Sequence, residues 1–228
     1  MIESFYDEAL SILPNYPKLN VVRENNLVKI FGELDLFDLN GIHQDTYNLE
    51  IIPTANYPFE FPLVYEIGNK IPNNIDWHVH TDGHFCIKTI PEEKITCCKG
   101  IKLNEFIEFE IKPYLFNQTF RRLNGYFLNE RSHGLIGEIE FYQEVFKTKS
   151  ITNIIKNIHH ILTQPEPNRV SNCYCGSDMK YRKCHRDAYQ KISSIGRNNL
   201  EVLISRLIFS DLFFEENPLL ATRIRQRY

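Results

Sequence analysis

No run of the sequence approaches the roughly 18 uncharged apolar residues that a membrane-spanning helix requires. The opening residues, MIESFYDEAL, are acidic and lack the basic and then apolar segments of a secretory signal peptide. Internal repeats and low-complexity tracts are absent as well. A chain of 228 residues, 43% hydrophobic and 24% charged, can bury a sizeable core. We therefore expect a globular, cytoplasmic protein of one or two domains.

The distribution of cysteine argues against a disulfide framework. The chain has six cysteines, four of which cluster as Cys97-Cys98 and Cys173-x-Cys175. Such clusters favour reduced thiols that bind a metal ion or react.

Charge is uneven along the chain. Residues 1–164 contain 15 Lys and Arg against 22 Asp and Glu, a net charge of −7, whereas residues 165–228 contain 11 against 7, a net charge of +4. The segment TQPEPNRVSN, residues 163–172, has two prolines and no apolar periodicity, which is typical of a linker. The sequence thus predicts a main domain of residues 1–162, a linker of residues 163–172 and a C-terminal module of residues 173–228.

The C-terminal module begins with CYCGSDMKYRKCH, residues 173–185, in which Cys173, Cys175, Cys184 and His185 form a complete tetrahedral ligand set for structural zinc. The segment resembles the SEC-C motif. The motif positions that match are Cys173, Cys175, Gly176, Ser177, Lys180, Tyr181, Cys184 and His185. Tyr174 stands where the motif usually has proline. A closed zinc site does no chemistry, so we expect a docking or stabilising module, followed by a helix whose apolar stripe runs from Leu200 to Leu212.

The main domain combines helical and strand patterns in an α+β order. An amphipathic helix is predicted at about residues 4–13, followed by strand-like runs at LNVVRE, LVKIFGELDLF, YNLEIIPT and FPLVYEIG. Helical patterns then cover Leu103 to about Leu128, with a bend near Pro113, and continue at residues 138–146 and 151–162. This order predicts an antiparallel strand meander between helices.

The segment DWHVHTDGHFCI, residues 76–87, allows two kinds of chemistry. Its His78-x-His80-x-Asp82-x-His84 pattern is close to the H-x-H-x-D-H signature of dinuclear metallohydrolases, because alternate residues of an extended segment project to one side. In the other interpretation Cys86 is a nucleophile and the histidines support it.

The residues before Cys86 favour the nucleophile. The stretch from Tyr47 to Ile87 is similar to the centre of a ubiquitin-conjugating enzyme: Tyr57-Pro58-Phe59 and Pro62 match its Y-P-F-x-x-P turn, and GHFCI, residues 83–87, resembles its Gly-x-Ile/Val-Cys-Leu/Val segment. The resemblance covers about residues 1–130 and implies that fold, with Cys86 as the catalytic cysteine.

Two departures from that family concern the catalytic loop. His78-Val79-His80 replaces the family's His-Pro-Asn tripeptide, and the segment from His78 to Cys86 is about two residues shorter than in the eukaryotic enzymes. The asparagine that stabilises the oxyanion is therefore missing, and His80, Thr81 or His84 remains as a possible donor. His78 is expected to shape the loop rather than to act as a base. Shortened loops resemble the bacterial homologues found with cyclic-nucleotide synthases in anti-phage operons.

The resemblance implies acyl transfer through a thioester. A thiolate attacks an activated acyl group, and a nearby imidazole that favours the thiolate raises the reactive fraction. The acyl donor would be a protein C-terminus, on a cyclic-nucleotide synthase or a ubiquitin-like protein, with an activating enzyme as a further partner and an amine as acceptor. No membrane or specific nucleic-acid partner is expected. Two alternatives remain, namely a non-catalytic module of the same fold that holds a partner's tail, and the metallohydrolase.

Overall fold

The computed structural model describes residues 2–24, 27–128 and 130–219. The chain forms two compact units, Met1–Lys88 with Lys99–Arg131, and Thr89–Cys98 with Ser132–Tyr228. The predicted main domain of residues 1–162 therefore includes all of the first unit and part of the second. None of the helices in the described ranges is both long and apolar enough to cross a membrane.

Helices and strands occur in an α+β order, as predicted. In chain order they are α1 (Ile2–Ile12), β1 (Leu19–Glu24), β2 (Leu27–Phe37), β3 (His43–Ile52), β4 (Leu63–Glu66), α2 (Ile90–Thr96), α3 (Leu103–Phe106), α4 (Lys112–Asn124), α5 (Gly134–Phe146), α6 (Ile151–Thr163), α7 (Arg186–Ser193), α8 (Arg197–Ile208) and α9 (Asp211–Glu216).

The first unit contains a four-stranded antiparallel sheet in the order β1-β2-β3-β4. Alternation in the sequence determines its buried face, because successive strand residues point to opposite sides. Strand β2 thus buries every second residue, including Val28, Ile30, Leu34 and Leu36. Gly32 is required in this strand, since a Cβ atom there would lie 2.2 Å from the Lys18 carbonyl oxygen.

The helix predicted from Leu103 to about Leu128 is interrupted by a π-helical turn at Ile107–Ile111. Pro113 follows two residues later, in the first turn of α4, and has no N–H to donate to the preceding turn, so the missing bond lies next to the π-helical interruption. Gly125, with φ +85°, ends α4 as a left-handed C-cap, a few residues before the predicted end. The helical segment buries Leu103, Phe106, Ile107, Ile111 and Leu115 in the core of the first unit.

A buried carboxylate joins β3 to α4. Asp45 is only 6% exposed and accepts hydrogen bonds from Lys70 Nζ (2.8 Å), Thr119 Oγ1 (3.0 Å) and the Arg122 guanidinium. Burial alone would raise the pKa of Asp45, but these partners, together with the Thr46 amide, lower it to about 2. The network stabilises the position of α4 on the sheet.

The second unit is helical around its own apolar core. Helix α6 has a well-defined apolar face and buries Ile151, Ile154, Ile158 and Ile161. The stripe predicted in the C-terminal module is confirmed over most of its length: α8 buries Leu200, Leu203, Ile204 and Leu207 in this core, whereas Leu212 is 37% exposed.

Candidate functional site

The segment around Cys86 folds as a short β-hairpin. Val79 and Phe85 pair across it, His80 N–H donates to the His84 carbonyl (2.8 Å), and Cys86 N–H donates to the His78 carbonyl (2.7 Å). Gly83 closes the turn with φ +93°, and its N–H donates to the His80 carbonyl (2.8 Å). A three-residue loop that ends in a glycine of positive φ is a common hairpin connection.

The second leg of the hairpin is attached to the free edge of β4. Tyr65 and His84 form an antiparallel bridge, and Phe85 N–H donates to the Val64 carbonyl (2.8 Å). Phe85 is only 5% exposed. Since strand residues alternate between faces, His84 and Cys86 lie on the opposite side from Phe85. Both are partly accessible to solvent.

Two of the three loop histidines contact each other. The rings of His80 and His84 stack with centroids 4.1 Å apart and an interplanar angle of 19°. His84 Nδ1 lies 2.6 Å from the Asp82 carboxylate. Partial burial would raise the pKa of Asp82, but its hydrogen bonds with His84 more than offset this effect and lower the pKa below its ordinary value. Asp82 is thus an ionised partner of His84, a role that the sequence pattern did not predict.

His78 is placed differently from the other two histidines. Its backbone is left-handed, with φ 53° and ψ 42°, and its ring lies against Phe127 with centroids 5.0 Å apart. The side chain is 15% exposed, and Nε2 lies 3.9 Å from the Glu130 carboxylate. The carbonyl group of His78, rather than its ring, contacts the Cys86 backbone. This geometry agrees with the prediction that His78 shapes the loop.

Helix α4 holds the first leg of the hairpin through three side chains at positions i, i+4 and i+7. They donate to three successive carbonyl groups of the chain. The pairs are Tyr114 to His78 (2.9 Å), Gln118 to Trp77 (2.7 Å) and Arg121 to Asp76. The Arg121 guanidinium also lies 4.3 Å from the centroid of the Trp77 ring. Because the three donors share one helix face, they together hold the segment of residues 76–78 that leads into the hairpin.

Tyr114 has a second contact, with the residue before Cys86. Its ring stacks on Phe85 with centroids 4.4 Å apart. Burial raises the pKa of Tyr114 above its usual value despite a hydrogen bond with Gln118 that lowers it, so the phenol stays protonated. The sequence contains no local signal for this contact, because Tyr114 is 28 residues from Cys86 along the chain.

A second unpredicted pair includes a residue close to Cys86 in the sequence. Lys88, two residues after Cys86, donates to the Glu110 carboxylate (2.7 Å), and the Glu110 side chain is only 8% exposed. Glu110 belongs to the π-helical turn, a local geometry that is frequent at functional sites.

The loop residues of the metallohydrolase interpretation are not gathered as a ligand set. Among the described residues, the ligand atoms of His78, His80, Asp82 and His84 do not form a group in which all lie within 4.8 Å of one another. No disulfide joins any of the six cysteines, all of which lie in the described ranges.

The second unit gathers Cys173, Cys175, Cys184 and His185, whose ligand atoms all lie within 4.8 Å of one another. The Cys175 and Cys184 sulfurs are 3.6 Å apart, and His185 Nδ1 is 3.4 Å from Cys173 Sγ and 3.1 Å from Cys184 Sγ. A tetrahedral ion with sulfur ligands at about 2.3 Å requires sulfur atoms about 3.8 Å apart. The four residues could therefore hold a metal ion.

The orientation of His185 also suits a metal ligand. Its Nε2–H donates to the Phe146 carbonyl (3.1 Å), which leaves Nδ1 directed at the three sulfurs. Metal-binding histidines commonly donate their other ring N–H in this way. Burial raises the pKa of Cys173 to about 11. For Cys175 hydrogen bonding with Ser177 outweighs burial and lowers the pKa to about 6.

No protein-family model matches the chain, and no curated protein matches it. A solved structure of the yeast vps23 UEV domain in complex with a vps27 PSDP peptide is similar over 57% of this chain and 83% of that chain, with 11% sequence identity and a TM-score of 0.33. The function therefore has to be inferred from the residues of this chain.

Proposed function

We propose that the protein is an acyl-transfer enzyme with a ubiquitin-conjugating-enzyme-like first unit, and that it carries an acyl group as a thioester on Cys86. In the first step the Cys86 thiolate attacks the activated carbonyl of the donor, and the donor's leaving group departs. In the second step an amine attacks the thioester, a C–N bond forms, and the Cys86 thiolate is released. The reaction needs no redox change.

One observation carries the proposal: Cys86 is partly accessible on the same hairpin face as an imidazole that has its own carboxylate partner. By strand alternation His84 and Cys86 share one face of the hairpin, and the Asp82 carboxylate lies 2.6 Å from His84 Nδ1. The hairpin is fixed by β4 on one side and by α4 on the other. A preorganised nucleophile with a nearby base is the arrangement that nucleophilic catalysis requires.

The sequence resemblance supplies the substrate class. The donor would be a protein C-terminus, on a cyclic-nucleotide synthase or a ubiquitin-like protein, delivered with or without a separate activating enzyme, and the acceptor a lysine or another amine. A role in bacterial anti-phage defence follows from the same resemblance.

The second unit would bind one structural zinc ion through Cys173, Cys175, Cys184 and His185, as the resemblance to the SEC-C motif implies. The spacing of the four ligand atoms supports this assignment. A closed site with three thiolates leaves no position for substrate, so this zinc would stabilise the second unit.

The test uses a chemical donor, because it bypasses the unknown activating step. The protein is incubated with a peptide that ends in Gly-Gly as its mercaptoethanesulfonate thioester, and adducts are followed by intact mass. We expect an adduct that dithiothreitol removes, a more stable ester in Cys86→Ser, and no adduct at this position in Cys86→Ala.

Cys98→Ala is the matched control, since Cys98 is exposed and could exchange thioesters without catalysis. It should load at the wild-type rate. Loading of Cys86→Ala at the wild-type rate would contradict the proposal. Saturable binding of the peptide without any adduct would instead support the non-catalytic binding module.

A further inference from the structure

We infer that Asp82 and His84 form a catalytic dyad in which His84 Nε2 accepts the proton of the attacking amine. The inference rests on the proposed function and assigns a general base to its second step. Asp82 would be a positioning residue, because it acts on the amine only through His84.

The turn of the hairpin builds the contact between the two residues. Asp82 lies in the three-residue loop between His80 and His84, and Gly83 with φ +93° reverses the chain so that the carboxylate meets the imidazole. Oδ1 of Asp82 lies 2.6 Å from His84 Nδ1 and also accepts the His84 backbone N–H (3.4 Å). Two contacts from one oxygen fix the carboxylate relative to the ring.

This contact selects the tautomer of His84. An ionised carboxylate can only accept a hydrogen bond, so the His84 Nδ1 atom carries the proton and donates it to Asp82. In the neutral ring Nε2 is then the basic nitrogen. The ionised carboxylate also stabilises the imidazolium that forms when Nε2 takes up a proton.

The surroundings of His84 restrict rotation of its ring. His80 stacks on one face at 4.1 Å, and the Tyr65 ring lies at 6.3 Å in an edge-on arrangement. The side chain is 24% exposed, so an amine from solvent can reach it. A base that is oriented before the substrate binds loses little freedom in the transition state.

Strand alternation places the dyad on the side of the nucleophile. His84 and Cys86 are separated by one residue whose ring is buried on the opposite face. An amine that attacks the Cys86 thioester forms the C–N bond as its proton passes to His84 Nε2. The C–S bond then breaks, and the electron pair remains on the Cys86 sulfur. His78 is less suited to this role, because its ring lies against Phe127.

The experiment separates the second step from the first. Protein loaded with the Gly-Gly peptide thioester is freed of excess donor and mixed with Nα-acetyl-lysine, and the amide product is measured in a single turnover. We expect His84→Ala to load normally and to form the amide about 10²-fold more slowly, the lower end of what a positioned base contributes. Asp82→Asn should give an intermediate rate. The control variant His43→Ala, which removes another exposed histidine of the first unit, should leave the rate unchanged.

Two further measurements exclude a merely structural effect. Free imidazole should restore part of the amide formation in His84→Ala and have no such effect on the wild type. In ¹⁵N spectra of histidine-labelled protein, His84 should show a protonated Nδ1, and Asp82→Asn should change that signal while the other histidine signals persist. An unchanged rate in His84→Ala, or a slow rate that imidazole does not raise, would overturn the dyad. Failure of the wild type to load would overturn the proposed function instead.

Discussion

The Tyr114 hydroxyl and the Cys86 amide donate to the same acceptor, the carbonyl oxygen of His78, at 2.9 and 2.7 Å. Because the Tyr114 ring also stacks on Phe85, one partly buried residue of α4 contacts both chain segments of the hairpin. The left-handed backbone of His78 is what directs its carbonyl to both donors. The position of Cys86 thus depends on a helix that is distant in the sequence.

The shared acceptor predicts a specific cost for removal of the Tyr114 hydroxyl. In Tyr114→Phe the ring still stacks on Phe85, but the His78 carbonyl loses the hydroxyl donor while it keeps the Cys86 amide. We expect the free energy of unfolding to fall by about 1 kcal/mol, the usual net value of one such hydrogen bond. Urea unfolding followed by Trp77 fluorescence measures it. Tyr126→Phe, at a residue that is 61% exposed, should change the stability by much less, and equal losses in the two variants would refute the prediction.

The sequence predicted the regular strands and missed the contacts between distant segments. The bounds of β1 and β2 are those of the apolar and polar alternation, LNVVRE and LVKIFGELDLF. Strand β3, in contrast, starts at His43 rather than at Tyr47, because Asp45 takes an inward-facing position that the pattern reserves for apolar residues. Its partners Lys70, Thr119 and Arg122 are 25 or more residues away, so no local pattern could show that this carboxylate can be buried.

The same limit applies to the candidate site. Spacing in the sequence was sufficient to assemble the cysteine and histidine cluster, since its four residues are close in the chain. The catalytic loop was located by resemblance, but the role of Asp82 depends on the turn at Gly83, and the role of Tyr114 depends on how α4 packs on the hairpin. Tyr114, Gln118 and Arg121 are spaced so that they share one helix face. The sequence does not indicate which loop that face contacts.

The Asp45 network predicts a pH dependence of stability. The pKa of Asp45 is lowered from its ordinary value of 3.8 to about 2 in the folded chain. The contribution of ionised Asp45 to the free energy of unfolding is therefore complete above about pH 4, and it is lost as the pH falls towards 2. A shift of this size corresponds to about 2 kcal/mol. We expect Asp45→Asn to be less stable than the wild type by at least this amount at pH 7.

The difference should shrink between about pH 4 and about pH 2, where the wild-type carboxyl takes up its proton. Urea unfolding of both proteins across this range checks the sign. The control is Asp7→Asn on the exposed side of α1, whose difference from the wild type should not follow this course. A constant difference for Asp45→Asn would contradict the prediction.

The zinc assignment predicts one metal ion per chain. Elemental analysis should find about one zinc in the wild type and none in Cys184→Ser, whereas Cys98→Ser should retain it. Since structural zinc contributes to folding, chelation should destabilise the second unit. The single tryptophan, Trp77, lies in the first unit, so its emission should persist while the helical signal falls. If the wild type holds two or more ions, and a variant with both His80 and His84 replaced loses them, the result would favour the metallohydrolase.

The stacked position of His80 predicts how its two possible roles can be distinguished. As an oxyanion donor in place of the missing asparagine, His80 would contribute an N–H to the transition state, and as a packing residue only its ring against His84 would matter. His80→Phe keeps an aromatic ring at this position and removes the N–H.

We expect His80→Phe to slow amide formation from the loaded thioester by about 10²-fold, as loss of one oxyanion donor typically does, with loading and stability close to wild type. His80→Ala should be slowed at least as much, because it loses both the N–H and the stack that orients His84. Wild-type amide formation in His80→Phe, together with a slow His80→Ala, would assign His80 to packing and leave the oxyanion to Thr81 or to backbone N–H groups.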